Sequence, residues 1–202
     1  MKRLYPAILA MGIIVVASNI LVLHPLGAFL TFGAFTYPLA FLVNDITNRL
    51  SGAAAARRVV LAGFVVGLIC SLVAAQFPGV TTLRIALGSL TAFVVGQLLD
   101  ITIFNRLRRS AWWRAPLIST MIGSTVDSAI FFTIAFSATL SFLEPWGDVA
   151  WAGETAALLG MGPALPLWVS LAVADWCVKS AIAVFGLLPF RLIVAKRTTS
   201  IA

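Results

Sequence analysis

The chain has 202 residues, 61% of them hydrophobic and only 10% charged, and its mean hydropathy is +1.05. A soluble domain carries about 25% charged residues, so the composition excludes one and leaves no room for a sizeable soluble unit beside a membrane domain. The net charge of +7 does not point to nucleic acid, because most Lys and Arg sit at the ends of apolar runs and no segment is long enough to form a basic face outside the membrane.

The apolar runs are about 20 residues long, the length of a membrane helix and not of the alternating strands of a barrel. The first predicted helix covers 4–23 after Met1-Lys2-Arg3, with Ser18 and Asn19 near its far end. Its apolar stretch exceeds the roughly 7–15 residues of a signal peptide, so it reads as a retained helix. His24-Pro25-Leu26-Gly27 makes a turn. The second helix covers 28–43 and is weakened by Gly33 and Pro38. Pro38 removes a backbone donor and predicts a kink, and broken membrane helices line cavities because their freed backbone groups need partners. The helix ends in Asn44-Asp45-Ile46-Thr47-Asn48-Arg49, where Asp45 is either a solvated helix-end charge or part of a gate.

The third helix covers 59–77, after Arg57-Arg58 and before Pro78-Gly79, and reads as scaffold. The fourth covers 84–104. Arg84 starts it, and Ser89, Gly96 and Asp100 fall on one small, polar stripe, with Gln97 beside them. Trp112-Trp113-Arg114 then resembles an interfacial aromatic belt. The fifth covers 115–140 and carries Ser119, Thr120, Ser124 and Asp127. Helical rise puts Asp127 about 20 Å from its start, near mid-membrane. The loop 144–162 holds Glu144, Asp148 and Glu154 with Trp146 and Trp151, and its Gly and Pro content predicts an irregular segment or a short surface helix. The sixth helix covers 165–188, with Asp175 and Lys179 one turn apart on one face. That pair either neutralises itself or serves a ligand. Arg191, Lys196 and Arg197 follow.

Lys and Arg mark the cytoplasmic side of membrane proteins. With six spans and both termini cytoplasmic, Lys2, Arg3, Arg49, Arg57, Arg58, Arg106, Arg108, Arg109, Arg114, Arg191, Lys196 and Arg197 all fall inside, which is twelve of the fourteen basic residues. Arg84 falls outside with the three loop acids, and Lys179 lies within the membrane. The expected fold is therefore a single all-α integral membrane domain, a six-transmembrane-helix bundle in the lipid bilayer. Cys70 and Cys177 sit inside apolar runs as small buried hydrophobes, and His24 is the one histidine, so no cofactor or metal is expected. Gly63, Gly67 and Gly123 permit close helix contacts, which leaves homo-oligomers open.

Two stretches share one frame. Gly96-Gln97-Leu98-Leu99-Asp100-Ile101-Thr102-Ile103-Phe104 and Gly123-Ser124-Thr125-Val126-Asp127-Ser128-Ala129-Ile130-Phe131 both read G-x-x-x-D-x-x-I-F. Glycine and aspartate lie one turn apart on one face, which leaves room beside the carboxylate for a close helix or a ligand. Ionisable groups within membranes are costly and mark function by default, although such residues also hold helices together. Asn19, Gln97, Asp100, Asp127, Asp175 and Lys179 together permit a purine-like ligand, whose N–H groups a carboxylate accepts while an amide completes the edge. An enzyme is the rival class. Gly88-Ser89 lacks a nearby histidine to activate it, and Asp100 and Asp127 differ in predicted depth, against a proton-sharing dyad. No phosphate loop is present.

Four segments carry a family likeness: Ala17-Ser18-Asn19-Ile20-Leu21; Tyr37-Pro38-Leu39-Ala40-Phe41-Leu42-Val43-Asn44-Asp45; Arg84-Ile85-Ala86 through Gln97 to Asp100 and Phe104; and Trp113-Arg114 through Ser119-Thr120 to Asp127, Phe131 and Ala135-Phe136. With Lys179 and Leu188-Pro189-Phe190 near the end, the chain resembles the YhhQ-type queuosine precursor transporters, which are vitamin uptake transporter-like proteins of the bacterial inner membrane. The resemblance implies import of a 7-deazaguanine base, in the cyano or aminomethyl form, by alternating access around a midplane site and without an ATPase. The expected substrate-binding residues are Asn19, Arg84, Ser89, Gln97, Asp100, Ser119, Asp127, Asp175 and Lys179, with Pro38 and Asp45 as gating or helix-end residues. Asn48-Arg49 departs from the family's acidic residue at that corner. The alternatives are a substrate-binding subunit of an ATPase-driven vitamin-type transporter and an intramembrane enzyme.

Overall fold

A computed structural model describes residues 4–199 apart from 78, 146 and 148. Met1-Lys2-Arg3, Pro78, Trp146, Asp148 and the side chain of Arg197 lie outside the described residues, so the readings placed on them above rest on sequence alone. Helix α1 (Tyr5–Leu21) leads into a two-residue antiparallel ribbon, β1 (Pro25–Leu26) with β2 (Leu30–Thr31). Then come α2 (Gly33–Thr36), α3 (Leu39–Ser51), α4 (Ala53–Ala74), α5 (Leu83–Leu107), α6 (Arg114–Phe136) and α7 (Leu167–Thr199). Between α6 and α7 lie short 3-10 turns and a second ribbon, β3 (Thr155–Ala157) with β4 (Ala164–Pro166). Among the described residues, α4, α5, α6 and 167–196 of α7 are long and apolar enough to cross a membrane, and α1 is a shorter apolar helix.

Several predicted boundaries move. Residues 28–32 belong to the first ribbon and its exit, not to a helix: the Gly27 turn has φ +69° and Leu30–Thr31 then pairs back on Pro25–Leu26. Pro38 does more than kink the second helix. It separates α2 from α3, and Ala40 and Phe41 donate to the carbonyls of Tyr37 and Pro38, three residues back, where the helix restarts. The third helix begins at Ala53, because Ala53–Ala56 are strong helix formers, so Arg57 and Arg58 lie within α4 on its exposed side. Gly52, at φ +87°, ends α3 and opens α4. Helix α6 stops at Phe136, where Ser137 turns extended. Helix α7 runs through Pro189 instead of ending there; membrane helices tolerate interior proline. Cys70 is half-buried and Cys177 exposed, so neither is a buried core residue.

The bundle is apolar outside and polar within. Leu9, Leu61, Phe185 and Leu188 are more than 60% exposed, whereas Asn44, Asn48, Gln97 and Asp100 are fully buried. One end is basic. There Arg49 donates to the carbonyl of Arg108 and Arg108 to that of Arg49, each at 2.7 Å. Arg191 stacks over Trp112, and Phe104, Ala115 and Phe190 form a small core beside them. The other end carries both ribbons.

Helices α5 and α6 pack through the repeated frame, and they pack crosswise. A Cβ on Gly96 would stand 2.8 Å from the Cβ of Asp127 and 3.2 Å from the Gly123 carbonyl. A Cβ on Gly123 would stand 3.0 Å from the Gly96 carbonyl and 3.1 Å from the Cβ of Asp100. Each glycine makes room for the other helix's aspartate. Gly63 is likewise taken up inside the chain, against Met11 and Phe93. Overpacking a tight contact costs about 1–3 kcal/mol. Gly96→Ala is therefore expected to lower the melting temperature of the purified protein in detergent. Gly153→Ala, where nothing lies within 4 Å, should leave it unchanged.

Candidate functional site

Lys179 is 3% exposed, and its ammonium contacts Asp127 Oδ2 at 2.6 Å, Asp175 Oδ2 at 2.5 Å and Ser128 Oγ at 2.9 Å. An ammonium has three protons to donate, so these three acceptors use all of them. The one-turn spacing of Asp175 and Lys179 on α7 makes their pairing local, and the packing of α7 on α6 brings Asp127 and Ser128 to the same point. Ser128 Oγ also donates to Asp175 Oδ2 at 2.7 Å. The fourth element is the break between α2 and α3. Tyr37 sits in it and donates its hydroxyl to Asp127 Oδ1 at 2.7 Å, with the Lys179 ammonium 5.2 Å from the centre of its ring. Two carboxylates face one ammonium, so in the fully ionised state the cluster carries one excess negative charge.

This cluster borders a cavity of about 460 Å³, within the range of small-molecule sites. Tyr37, Asp127, Asp175 and Lys179 line it with Asn19 and Ser89. Phe93, Phe131, Phe132, Phe136 and Trp151 supply apolar, flat walls. Ring centres of Phe131 and Phe132 are 4.9 Å apart, and those of Phe136 and Trp151 are 5.6 Å apart. Residues of the first ribbon, with Val80 and Trp151, extend the lining toward the ribbon end.

A second polar cluster lies on the basic side of the first. Asn44 Nδ2 donates to Asp100 Oδ2 at 3.0 Å. The Thr120 hydroxyl lies 3.0 Å from Asp45 Oδ2 and 3.5 Å from Asp100 Oδ1, and Ser119 Oγ is 3.4 Å from Asp45 Oδ1. Asp45 is 2% exposed, which overturns the reading of it as a solvated helix-end charge: α3 continues to Ser51 and carries it into the interior. Gln97 is fully buried, and its side-chain amide has no partner among the described residues.

The nine residues singled out from sequence therefore divide. Asn19, Ser89, Asp127, Asp175 and Lys179 line the cavity. Asp100 and Ser119 join Asp45 in the second cluster, with Gln97 three residues before Asp100 on the same helix. Arg84 meets neither. It is 1% exposed and donates from Nε to the Ile134 carbonyl at 3.0 Å and from Nη2 to the Ser137 carbonyl at 2.6 Å, clasping the start of α5 to the end of α6. Pro38 opens α3 and borders a small crevice that also reaches Asp45 and Thr120. Tyr37, Ser128 and the aromatic wall were not among the site residues expected from sequence. The one local signal for Tyr37 is its place directly before the helix-breaking proline.

Glu144 completes the clasp by accepting the Arg84 backbone N–H at 2.9 Å. Burial pushes its carboxyl upward. The Arg84 and Leu83 backbone N–H groups, the Thr82 hydroxyl and the Arg84 charge outweigh that and hold it below its ordinary value.

The putative vitamin uptake transporter family matches residues 31–194. The chain is similar to the queuosine precursor transporter of Escherichia coli, 34% identical over 195 residues, covering 88% of this chain and 79% of the relative. It is 40% identical over 136 residues to the probable queuosine precursor transporter of Haemophilus influenzae, covering 59% and 58%. It is 28% identical over 196 residues to that of Bacillus subtilis, covering 87% and 78%. No solved structure matches the chain significantly.

Two outcomes follow from these contacts. Lys179→Met leaves the buried Asp127 and the half-buried Asp175 without their cation, and breaking a buried pair costs about 3–5 kcal/mol; a large drop in thermal stability in detergent is expected. The Glu144 contribution is complete above its ordinary value of 4.5 and is lost as pH falls through its lower folded value. Melting curves recorded down a series of falling pH should show an acid-side loss that Glu144→Gln reduces.

Proposed function

The chain belongs to the putative vitamin uptake transporter family, and from that premise we propose that it imports a 7-deazaguanine precursor of queuosine, cyano or aminomethyl, across the bacterial inner membrane. It is a multi-pass membrane transporter and not an enzyme. The observation that carries the reading is the cation-bridged carboxylate cluster in the wall of an aromatic-walled cavity. A deazaguanine presents adjacent N–H donors along one edge, and Asp127 and Asp175 offer acceptor oxygens to such an edge. The flat ring suits the aromatic wall of Phe131, Phe132, Phe136 and Trp151, against which a base can stack. Asn19 and Ser89 stand ready to complete the polar edge. Gln97, Asp100 and Ser119 lie outside the cavity lining and do not contact the base in this state. The excess negative charge of the cluster also suits the cationic arm of the aminomethyl form.

The broken α2–α3 segment counts as one span, and α1, α4, α5, α6 and α7 supply the other five. With the basic end cytoplasmic, the cavity belongs to the ribbon, outer side. Alternating access then follows from opening and closing around the Tyr37-Pro38 break.

The test is uptake of labelled 7-cyano-7-deazaguanine into proteoliposomes that contain this chain alone. The wild type is expected to load the vesicles, Asp127→Asn to reduce loading at least tenfold, and Ser89→Ala to reduce it less. Equal loading by Asp127→Asn would remove the site. Loading that needs an added ATPase would support the substrate-binding-subunit reading instead.

A further inference from the structure

The second cluster has no place in base binding, yet it concentrates costly groups. Asp45 and Asp100 are 2% and 0% exposed and come from different helices. Their carboxyl groups meet across one hydroxyl, Thr120 Oγ1, which lies 3.0 Å from Asp45 Oδ2 and 3.5 Å from Asp100 Oδ1. That hydroxyl has one proton and cannot donate to both, and two buried carboxyl groups this close with no ion pair favour holding a proton between them. The other groups facing the pair are Asn44 and Asn48 from α3, Gln97 from α5, and Ser119 and Thr120 from α6. All are neutral. From α7 the crevice beside the pair is lined by Ile182, Ala183, Gly186, Leu187 and Phe190, all apolar. The nearest intramembrane cation on α7, Lys179, gives its ammonium protons to Asp127, Asp175 and Ser128. Arg49 and Arg108, toward the basic end, donate to each other's carbonyls. Among the described residues no ion pair involves Asp45 or Asp100.

The cluster is also incompletely satisfied. Among the described residues, both side-chain amide atoms of Gln97 and the Oδ1 atoms of Asn44 and Asn48 are buried without partners. Asn44 is the residue that donates to Asp100, so its orphan oxygen belongs to the cluster itself. Buried polar atoms left this way mark places for water or an exchanging proton. The crevice between α3, α6 and α7 reaches Asp45 and Thr120 and has a volume of about 20 Å³, enough for a single water.

We propose that Asp45 and Asp100 share one transported proton and couple its movement to import of the base. This rests on the import reading above. The coupling has a mechanical route. Tyr37 and Asn44 lie two turns apart on the broken α2–α3 segment and hydrogen-bond to Asp127 and Asp100 respectively. The crossed glycines bind the same two aspartates into the α5–α6 contact. A shift of the broken segment against α5 and α6 therefore changes both clusters at once. In one cycle the pair takes up one proton while the base site faces outward and releases it through the α3–α6–α7 crevice to the inside. Uptake forms one carboxyl O–H bond as one in hydronium on the outer side breaks, and release to water on the inner side reverses it.

The experiment uses purified full-length protein in proteoliposomes with labelled 7-cyano-7-deazaguanine and compares three readouts: binding, exchange of labelled for unlabelled base at equal pH, and accumulation driven by an alkaline interior. The wild type is expected to bind, exchange and accumulate. Asp45→Asn and Asp100→Asn are expected to bind and exchange near wild-type levels but to lose gradient-driven accumulation at least tenfold. A wild type that exchanges the base yet ignores the pH gradient would overturn the coupling and leave import standing. So would variants that still accumulate, or variants that lose exchange as well, since the pair would then be structural. A wild type that neither binds nor exchanges would remove the import reading, and this inference with it.

Discussion

The arrangement depends on how close α5 and α6 come to one another. Two glycines, each one turn from an aspartate, meet across the helix pair so that each carboxylate-bearing Cβ fills the space the opposite glycine leaves open. Within a membrane, close approach of backbones substitutes for the hydrophobic drive that water would supply. Here it does a second thing. It fixes two aspartates at two heights on one helix–helix seam, and so sets the places where polar chemistry can occur. Asp45, Asp175 and Lys179 are each positioned relative to one of those two points.

The two heights differ in charge compensation. At the upper one, Lys179 provides a cation, Tyr37 and Ser128 complete the hydrogen bonding, and a cavity gives access. At the lower one, among the described residues, no cation pairs with the acids, the partners are hydroxyls and amides, and several polar atoms lack partners. Isolated ionised groups are strongly disfavoured in low dielectric. A carboxylate therefore needs a partner charge, as Asp127 has, or a proton, the part assigned above to the Asp45–Asp100 pair. One frame, repeated in sequence, thus produces two chemically different sites because the helices around it differ.

Sequence made the first of these sites largely readable. Asp175 and Lys179 are one turn apart, and a shared frame marked Asp127, so local spacing carried most of the information. The second site was hidden because its contacts are non-local. Asp45 and Asp100 are 55 positions apart, and the spacing within either helix says nothing about which acid the other meets. Asp45 looked like a helix end because the apolar run stops there, yet α3 continues through Asn48 and Arg49 with its polar residues turned inward. Arg84 misled in a similar way. At an external helix start it reads as a substrate-binding residue, but the carbonyls that satisfy it lie 50 and 53 residues further along the chain. The 28–32 stretch is apolar like its neighbours, and an apolar run that short does not distinguish ribbon from helix.

The broken segment ties these differences together. A continuous helix from 28 to 51 would place Tyr37 as one more packed aromatic. Pro38 cannot donate a backbone bond, so the chain breaks beside it, and Tyr37 occupies the break with its hydroxyl on Asp127. Below the break α3 is regular, and its Asn44 and Asp45 reach the lower carboxylate and its hydroxyl partner. One segment therefore reads the state of the upper cluster at its weakest point and that of the lower cluster on a rigid helix. A break that connects two sites of different charge is a hinge with a load at each end. That is why the proline matters more to this molecule than any kink in a scaffold helix would.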